Sequence, residues 1–265
     1  MKPVSDSHGI QPVLNIRLGE QHLSCVVTDK ASGQMNELSY WTTGEMNAVD
    51  LAALLEQQKE FTGPYYQVNI CYDYPGSMMV PSVGFRQEDA GLLNNTLPVS
   101  GDTSLSITEW LAEWQLYNVY AAPKEIHELL MKRFPAAKFW HQATVGLKNI
   151  HSATEEGCLQ ADFRHHDFSL IAVRSGKLLL ARSFEYSTPE DVLYYLLKTC
   201  RQFSLSQNEV LLELSGLVDR QSALYRELYQ YFSQIRLREN DWKMKDGEFP
   251  AHFFTSLKDL SVCVS

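Results

Sequence analysis

The sequence predicts an α/β fold built from two similar halves, each with three strands, one helix and a fourth strand in the order βββαβ. The same order of elements occurs twice, with corresponding strands about 143–146 residues apart. Each set of three strands consists of short apolar runs separated by turn residues, and one amphipathic helix pattern follows it. Residue identity between the two sets is negligible, so the repeat lies in the order of elements.

The second half shows this pattern more clearly. Residues 159–184 contain three predicted strands, and Ser175-Gly176 forms the turn of the second hairpin. Thr188 is a predicted helix N-cap, because a proline and two acidic residues follow it. Residues 209–214 are mostly apolar, which is typical of a strand covered on both faces.

The first half repeats the order near the start of the chain. Residues 13–41 contain three predicted strands with turns at Gly19 and Gly33. Asn47 then caps a helix with leucines along one side, and residues 66–71 form the fourth strand. The two halves are therefore interpreted as a structural duplication.

These patterns divide the chain into three parts. Residues 1–12 are polar and are predicted to be a disordered lead-in, residues 13–154 form the first half, and residues 155–265 form the second. Residues 96–142 are predicted to be a subdomain inserted in the first half. Residues 144–152 are predicted to be a helix that joins the halves.

The inserted subdomain carries an aromatic patch, formed by Glu109, Trp110, Trp114, Tyr117 and Tyr120. Residues 110–120 are interpreted as one long strand. Packing in a core is the default role for such side chains, and an interface with a protein partner is the alternative. Both roles stay open from the sequence alone.

Composition excludes several function classes. The chain has 265 residues and a net charge of −9, and an acidic protein repels nucleic-acid phosphates, so no nucleic acid is expected as a partner. No apolar run reaches the roughly 18–20 residues of a membrane span, and the polar start lacks a signal core. We therefore expect a cytoplasmic protein without membrane insertion. Its five widely spaced cysteines are expected to be free thiols.

The two βββαβ units, joined by a helix and carrying an insertion in the first half, resemble the actin-like ATPase superfamily, which has a duplicated ribonuclease H-like fold. Within it, the chain is most similar to the pilus- and secretion-assembly branch and to an uncharacterised bacterial family of unknown function. The resemblance implies ATP and magnesium as the cofactors, bound between the halves. It also implies a phosphate loop with the pattern Asp-x-Gly at the first hairpin of each half.

This chain departs from that pattern. The resemblance implies nucleotide-binding positions at Asn15, Arg17, Asp162 and Arg164 in the phosphate loops, and at Ser215-Gly216 in the adenosine loop. Asn15 replaces the first aspartate, which weakens binding of Mg²⁺, while arginines replace the glycines that let backbone approach phosphate. We expect a degenerate cleft in which Asp162 pairs with Arg17 or Arg164.

Two functions follow from these departures. The first is a non-hydrolytic scaffold that acts through protein–protein contacts, with its partner on the inserted subdomain and with homo-oligomers left open. The alternative is an ATP-binding actin-like ATPase. His165-His166-Asp167 are interpreted as a solvated hairpin rather than a metal site, because adjacent strand residues point to opposite faces. Ser215 lacks a nucleophile elbow, so no catalytic residue is predicted.

Overall fold

The computed structural model describes residues 11–94, 97, 103–150, 154–242 and 249–263. The predicted lead-in lies largely outside these described residues. The strands are β1 (Pro12–Gly19), β2 (His22–Asp29), β3 (Met35–Thr42), β4 (Gln67–Asp73), β5 (Ser77–Pro81), β6 (Ser104–Leu111), β7 (Leu116–Pro123), β8 (Lys138–His141), β9 (Cys158–Phe163), β10 (Asp167–Arg174), β11 (Lys177–Glu185), β12 (Leu211–Gly216) and β13 (Gln234–Leu237). The α-helices are α1 (Ala48–Gln57), α2 (Ala90–Asn94), α3 (Lys124–Arg133), α4 (Gln142–Lys148), α5 (Pro189–Phe203), α6 (Ala223–Tyr229) and α7 (Thr255–Cys263).

The two halves have matching five-stranded sheets. Their strand orders are β3-β2-β1-β4-β8 and β11-β10-β9-β12-β13. In each half the first three strands are antiparallel, and the fourth strand pairs parallel with the first. The predicted pair of βββαβ units is therefore confirmed, and each unit also gains a parallel fifth strand.

Helix starts in both halves follow from local hydrogen bonding. Thr188 forms a capping box with Asp191, and Pro189 occupies the first turn of α5. The side chain of Asn47 accepts hydrogen bonds from the amides of Val49 and Asp50 at the start of α1. These caps are the ones that the sequence predicts.

The sheets and helices form layers. α1 and α3 cover the outer face of the first sheet, and α5 and α6 cover the outer face of the second. α4 and α7 lie between the sheets, where Val145, Leu257 and Leu260 pack against Val26 and Cys71 of the first sheet. α7 thus packs on the first half, although it follows the second half in sequence.

The separate sheet of the first half differs from the predicted insertion at 96–142. Its strand order is β5-β7-β6, so it begins with β5 before residue 96, and we call these three strands the inserted sheet. β8 instead pairs with β4 in the first sheet, and α3 packs in the core of the first half. Residues 110–120 do not form one strand, because Gln115 adopts φ 52° in the turn between β6 and β7.

Two further expectations concern the whole chain. All five cysteines are free thiols in this structure. Among the described residues, no helix combines the length and the apolar character that a membrane crossing requires.

Gly216 is where β12 ends, and it makes a close backbone approach. It has φ +76°, and an added Cβ would lie 2.2 Å from the carbonyl oxygen of Phe163. Gly176 has a similar φ of +71°, but a Cβ there would meet nothing within 4 Å. The two glycines thus share a backbone conformation and differ in crowding.

We expect Gly216→Ala to lower the free energy of unfolding by at least about 3 kcal/mol, because conformational strain and steric overlap add. The matched control Gly176→Ala should lose only the strain, about 1–2 kcal/mol. Urea denaturation of both variants measures the difference. If both variants lose the same free energy of unfolding, then the backbone at Gly216 is not crowded against Phe163 as described.

Candidate functional site

The ends of strands from both halves meet in a buried cluster of charges. Arg17 lies near the end of β1, Asp73 ends β4, Asp162 lies in β9, and Arg164 follows β9. All four side chains are buried, and we call them the junction cluster. Two cations and two anions are thus enclosed together between the halves.

Alternation along the strands places these side chains. In β1, Leu14, Ile16 and Leu18 pack in the core of the first half, so Arg17 points to the opposite face, toward the second half. In β9, Ala161 and Phe163 pack in the core of the second half. Asp162 therefore points back toward the first half.

Ion pairs connect the cluster across the two halves. Nη2 of Arg17 lies 2.5 Å from Oδ2 of Asp162 and 2.7 Å from Oδ2 of Asp73. Nη1 of Arg164 lies 2.9 Å from Oδ1 of Asp73, and its Nε lies 2.6 Å from Oδ1 of Asp167. Arg17 and Arg164 each contact an aspartate of the other half, and the contact of Arg17 with Asp162 is the one that we expected.

The charges determine which groups ionise. Burial opposes ionisation of Asp73, but Arg164 and Arg17, with the hydrogen bond from His22, hold its pKa well below the usual value. Burial likewise acts against the charge on Arg17, but Asp162 and Asp73 raise its pKa above the usual value. Asp73, Arg17 and Arg164 are therefore ionised at neutral pH.

Asp162 has protein donors at both of its carboxylate oxygens. Ser215 donates from Oγ to its Oδ1 at 2.7 Å, while Arg17 and the amide of Gln142 contact its Oδ2, the latter at 3.4 Å. The backbone of Gly216 runs beside Phe163, and this close approach keeps Ser215 next to Asp162. Both oxygens of Asp162 are thus occupied by protein donors.

Asn15 lies outside the junction cluster. Its Nδ2 donates to Oγ1 of Thr28 at 3.3 Å, and its Oδ1 accepts from Nδ2 of Asn69 at 2.8 Å. Asn15 is fully buried, and alternation along β1 places it on the same face as Arg17, although its hydrogen bonds stay within the first half. The other predicted residues, Arg17, Asp162, Arg164, Ser215 and Gly216, do lie where the halves meet.

Sequence reasoning missed three residues of this region. Asp73 bridges the two arginines, Nε2 of His22 lies 3.2 Å from Oδ2 of Asp73, and Ser256 of α7 accepts a hydrogen bond from Arg17. An acidic residue at the end of a parallel strand was a usable signal for Asp73. Ser256 gave none, because its segment has no clear periodicity.

A small apolar cavity lies beside the cluster. Its volume is about 50 Å³, and its aromatic lining includes Tyr40, Phe163 and three phenylalanines of residues 249–254. Small-molecule pockets usually span roughly 300–1,000 Å³. Leu217, which follows the predicted Ser215-Gly216 positions, also lines this cavity.

The residues present do not fit magnesium and ATP in this arrangement. Mg²⁺ prefers free carboxylate oxygens, but Asp73 and Asp162 are both paired with arginine. Arg17 and Arg164 stand at the positions where the resemblance implies glycines that would admit phosphate. Among the described residues, no group of three or more histidine, cysteine, aspartate or glutamate side chains is arranged to hold a metal ion.

Solved structures with similar folds place this geometry in context. A Bacteroides thetaiotaomicron protein with actin-like ATPase fold and unknown function superposes with a TM-score of 0.82 at 22% identity, covering 99% of this chain and 100% of that one. The PilM–PilN type IV pilus biogenesis complex gives 0.59 at 12% identity, with 94% and 97% covered. The cytoplasmic domain of Vibrio cholerae EpsL gives 0.51 at 10% identity, with 96% of each chain covered.

These likenesses show the fold, so the chain has the actin-like ATPase fold that its order of elements predicts. Comparison with curated proteins gives no match. A family model matches residues 8–235, which is most of the chain. The chain therefore belongs to the family described as "Protein of unknown function (DUF3822)".

Proposed function

We propose that this protein is a non-hydrolytic scaffold that acts through protein–protein contacts, with ion pairs in place of a nucleotide between its halves. The observation that carries the proposal is the junction cluster. Its two arginines and two aspartates neutralise one another, which leaves no carboxylate free for a metal ion. The small aromatic cavity beside it also argues against a bound nucleoside.

The inserted sheet supplies a surface for contacts. Trp110 is 43% exposed and packs at a tilt against Tyr117 with ring centroids 4.7 Å apart, and Phe85 packs on the same tyrosine at 4.7 Å. Trp114 instead donates from Nε1 to the carbonyl of Leu147 at 3.3 Å, which ties it to α4. Exposed aromatic side chains are common anchors in protein interfaces. Trp110 is therefore the better candidate contact residue.

The names of two of the similar structures support a role in assembly. One is a PilM–PilN complex of type IV pilus biogenesis, and the other is a component of a type II secretion system. We extend the idea of an assembly role to this chain as part of the proposal. A cytoplasmic location belongs to the same proposal and agrees with its unpaired thiols. Self-association stays open within it.

The alternative function is ATP binding. The specific observation in its favour is the turn after β12, where the resemblance implies an adenosine loop and Gly216 has a left-handed backbone conformation. Binding would require the arginines to release Asp73 and Asp162. The alternative thus predicts a cleft that opens when nucleotide is supplied.

Thermal unfolding with Mg²⁺–ATP separates the two functions. A ligand at 100 times its dissociation constant adds about 2.7 kcal/mol of stability, which raises Tm by roughly 5–10 °C for a chain of this size. We expect no rise at millimolar Mg²⁺–ATP. A rise with Mg²⁺–ATP but not with Mg²⁺–tripolyphosphate would contradict the scaffold and support nucleotide binding.

Truncation of an exposed aromatic tests the contact surface. We expect Trp110→Ala to keep the wild-type Tm and to reduce partner recovery at least about tenfold, since interface anchors contribute 2 kcal/mol or more. Recovery is measured by quantitative mass spectrometry after affinity purification from the cells that produce the protein.

The matched control for this experiment is Tyr229→Ala, on α6 of the second half. Tyr229 is 65% exposed, so it resembles Trp110 in burial but lies away from the inserted sheet. This variant should recover the same partners as the wild type. Equal recovery by Trp110→Ala and the wild type would remove the inserted sheet from the proposal.

A further inference from the structure

The side chain of Glu109 places a carboxylate with a buried oxygen in the inserted sheet. It lies in β6, and its Oε1 accepts a hydrogen bond from the hydroxyl of Tyr120 at 2.8 Å. Its Oε2 is buried and has no hydrogen-bond donor. Among the described residues, no arginine, lysine or histidine forms an ion pair with it. A buried carboxylate without a cation is costly to keep ionised.

A second acceptor without a donor faces it. Asn118 of β7 is paired directly with Glu109 in the strand register, so the two side chains lie on the same face of the sheet. Asn118 is fully buried, and its Oδ1 has no donor. Its Nδ2 donates to Oγ1 of Thr144 in α4 at 3.0 Å. Two buried oxygen acceptors on directly paired residues of neighbouring strands thus lack a donor among the described residues.

We propose that Glu109 and Asn118 form a proton-binding switch between the inserted sheet and α4. In the protonated state, Oε2 of Glu109 donates to Oδ1 of Asn118, and Nδ2 of Asn118 keeps its bond to Thr144. When the proton leaves, the amide of Asn118 turns by 180°. Its Nδ2 then donates to the carboxylate, and its Oδ1 accepts from the hydroxyl of Thr144.

Because the carboxylate of Glu109 is buried, it exchanges this proton at physiological pH. Burial raises the pKa of Glu109 to about 7, against the opposing effects of the nearby Thr144 hydroxyl, of the hydrogen bond from Tyr120 and of the His141 backbone. The other titratable groups around it do not change charge in this range. Burial lowers the pKa of His141 to about 4 and raises the pKa values of Tyr120 and Cys71 well above their usual values. Lys148 of α4 is the cation that acts on Glu109.

The switch lies where three parts of the molecule meet. α4 carries Thr144, and an added Cβ on its Gly146 would come within 2.6 Å of Ile171 in the second half. Trp114 joins the turn after β6 to Leu147 of the same helix. A change in bonding at Thr144 therefore affects the contact of the inserted sheet with a helix that lies between the halves. This inference does not depend on the proposed scaffold function.

The direction of the pH effect follows from the raised pKa. The folded protein holds the proton more tightly than the unfolded chain, so this stabilisation is fully present below about pH 4.5. It is lost as the pH rises through about 7. Glu109→Gln supplies a permanent donor of the same shape and should not lose stability in this way.

Urea denaturation between pH 5.5 and pH 8 tests the switch. We expect the unfolding constant of the wild type to increase by roughly 20-fold relative to that of Glu109→Gln over this range. Glu113→Gln, at an exposed site in the turn after β6, should follow the wild type. Parallel pH profiles of the wild type and Glu109→Gln would overturn the proposal.

A measurement on the wild type keeps the test independent of how the variant folds. The side-chain amide of Asn118, observed by ¹⁵N NMR, should shift with a midpoint near pH 7, because its hydrogen-bond partners exchange. Thr144→Val removes the hydroxyl partner and should change the midpoint. An amide signal that stays constant from pH 5.5 to pH 8 would overturn the proposal.

Discussion

The arrangement of the molecule depends on the buried ion pair between Arg17 of the first half and Asp162 of the second. It joins β1 and β9, whose outer faces pack in the separate cores of the two halves. Asp73 and Arg164 extend the pair so that charges of opposite sign alternate. Loss of one partner would leave a buried charge without compensation, a change that typically destabilises by about 3–5 kcal/mol.

Under the proposed function, this interaction gives the space between the halves a use other than nucleotide binding. In the pattern that the fold resembles, metal and phosphate carry the charges between the halves. Here side chains of the protein carry both the positive and the negative charges. Aromatic residues of the segment before α7 fill the neighbouring space. Buried ion pairs favour one geometry more than they add stability. A fixed relation between the halves suits a scaffold that presents a constant surface.

Much of the fold could be predicted because periodicity and turns are local. Short sequence patterns predict the first three strands of each half and the caps at Asn47 and Thr188. The opposition of Arg17 and Asp162 follows from the resemblance to the actin-like superfamily. β5 was not recognised as part of the inserted sheet, because its pairing with β7 joins distant residues. The turn at Gln115 was missed because a non-glycine residue adopts φ 52° there, and no sequence signal marks it.

The site was harder to predict than the fold. Asp73 follows the strand that the sequence predicts at residues 66–71. Its link to both arginines depends on the packing of the two halves. Asn15 was placed by analogy, but its amide is used within the first half by Thr28 and Asn69. Contacts between distant elements, such as Ser256 with Arg17, become visible only when α7 is seen to lie between the sheets.

A double-mutant cycle on Arg17→Met and Asp162→Asn tests the central claim most directly. Urea denaturation of the wild type, both single variants and the double variant gives the coupling energy between the two side chains. If this pair holds the halves together, the coupling energy between the two side chains should be at least about 1.5 kcal/mol, as for other close and buried charge pairs. Single-variant effects that add to within roughly 0.5 kcal/mol would contradict it.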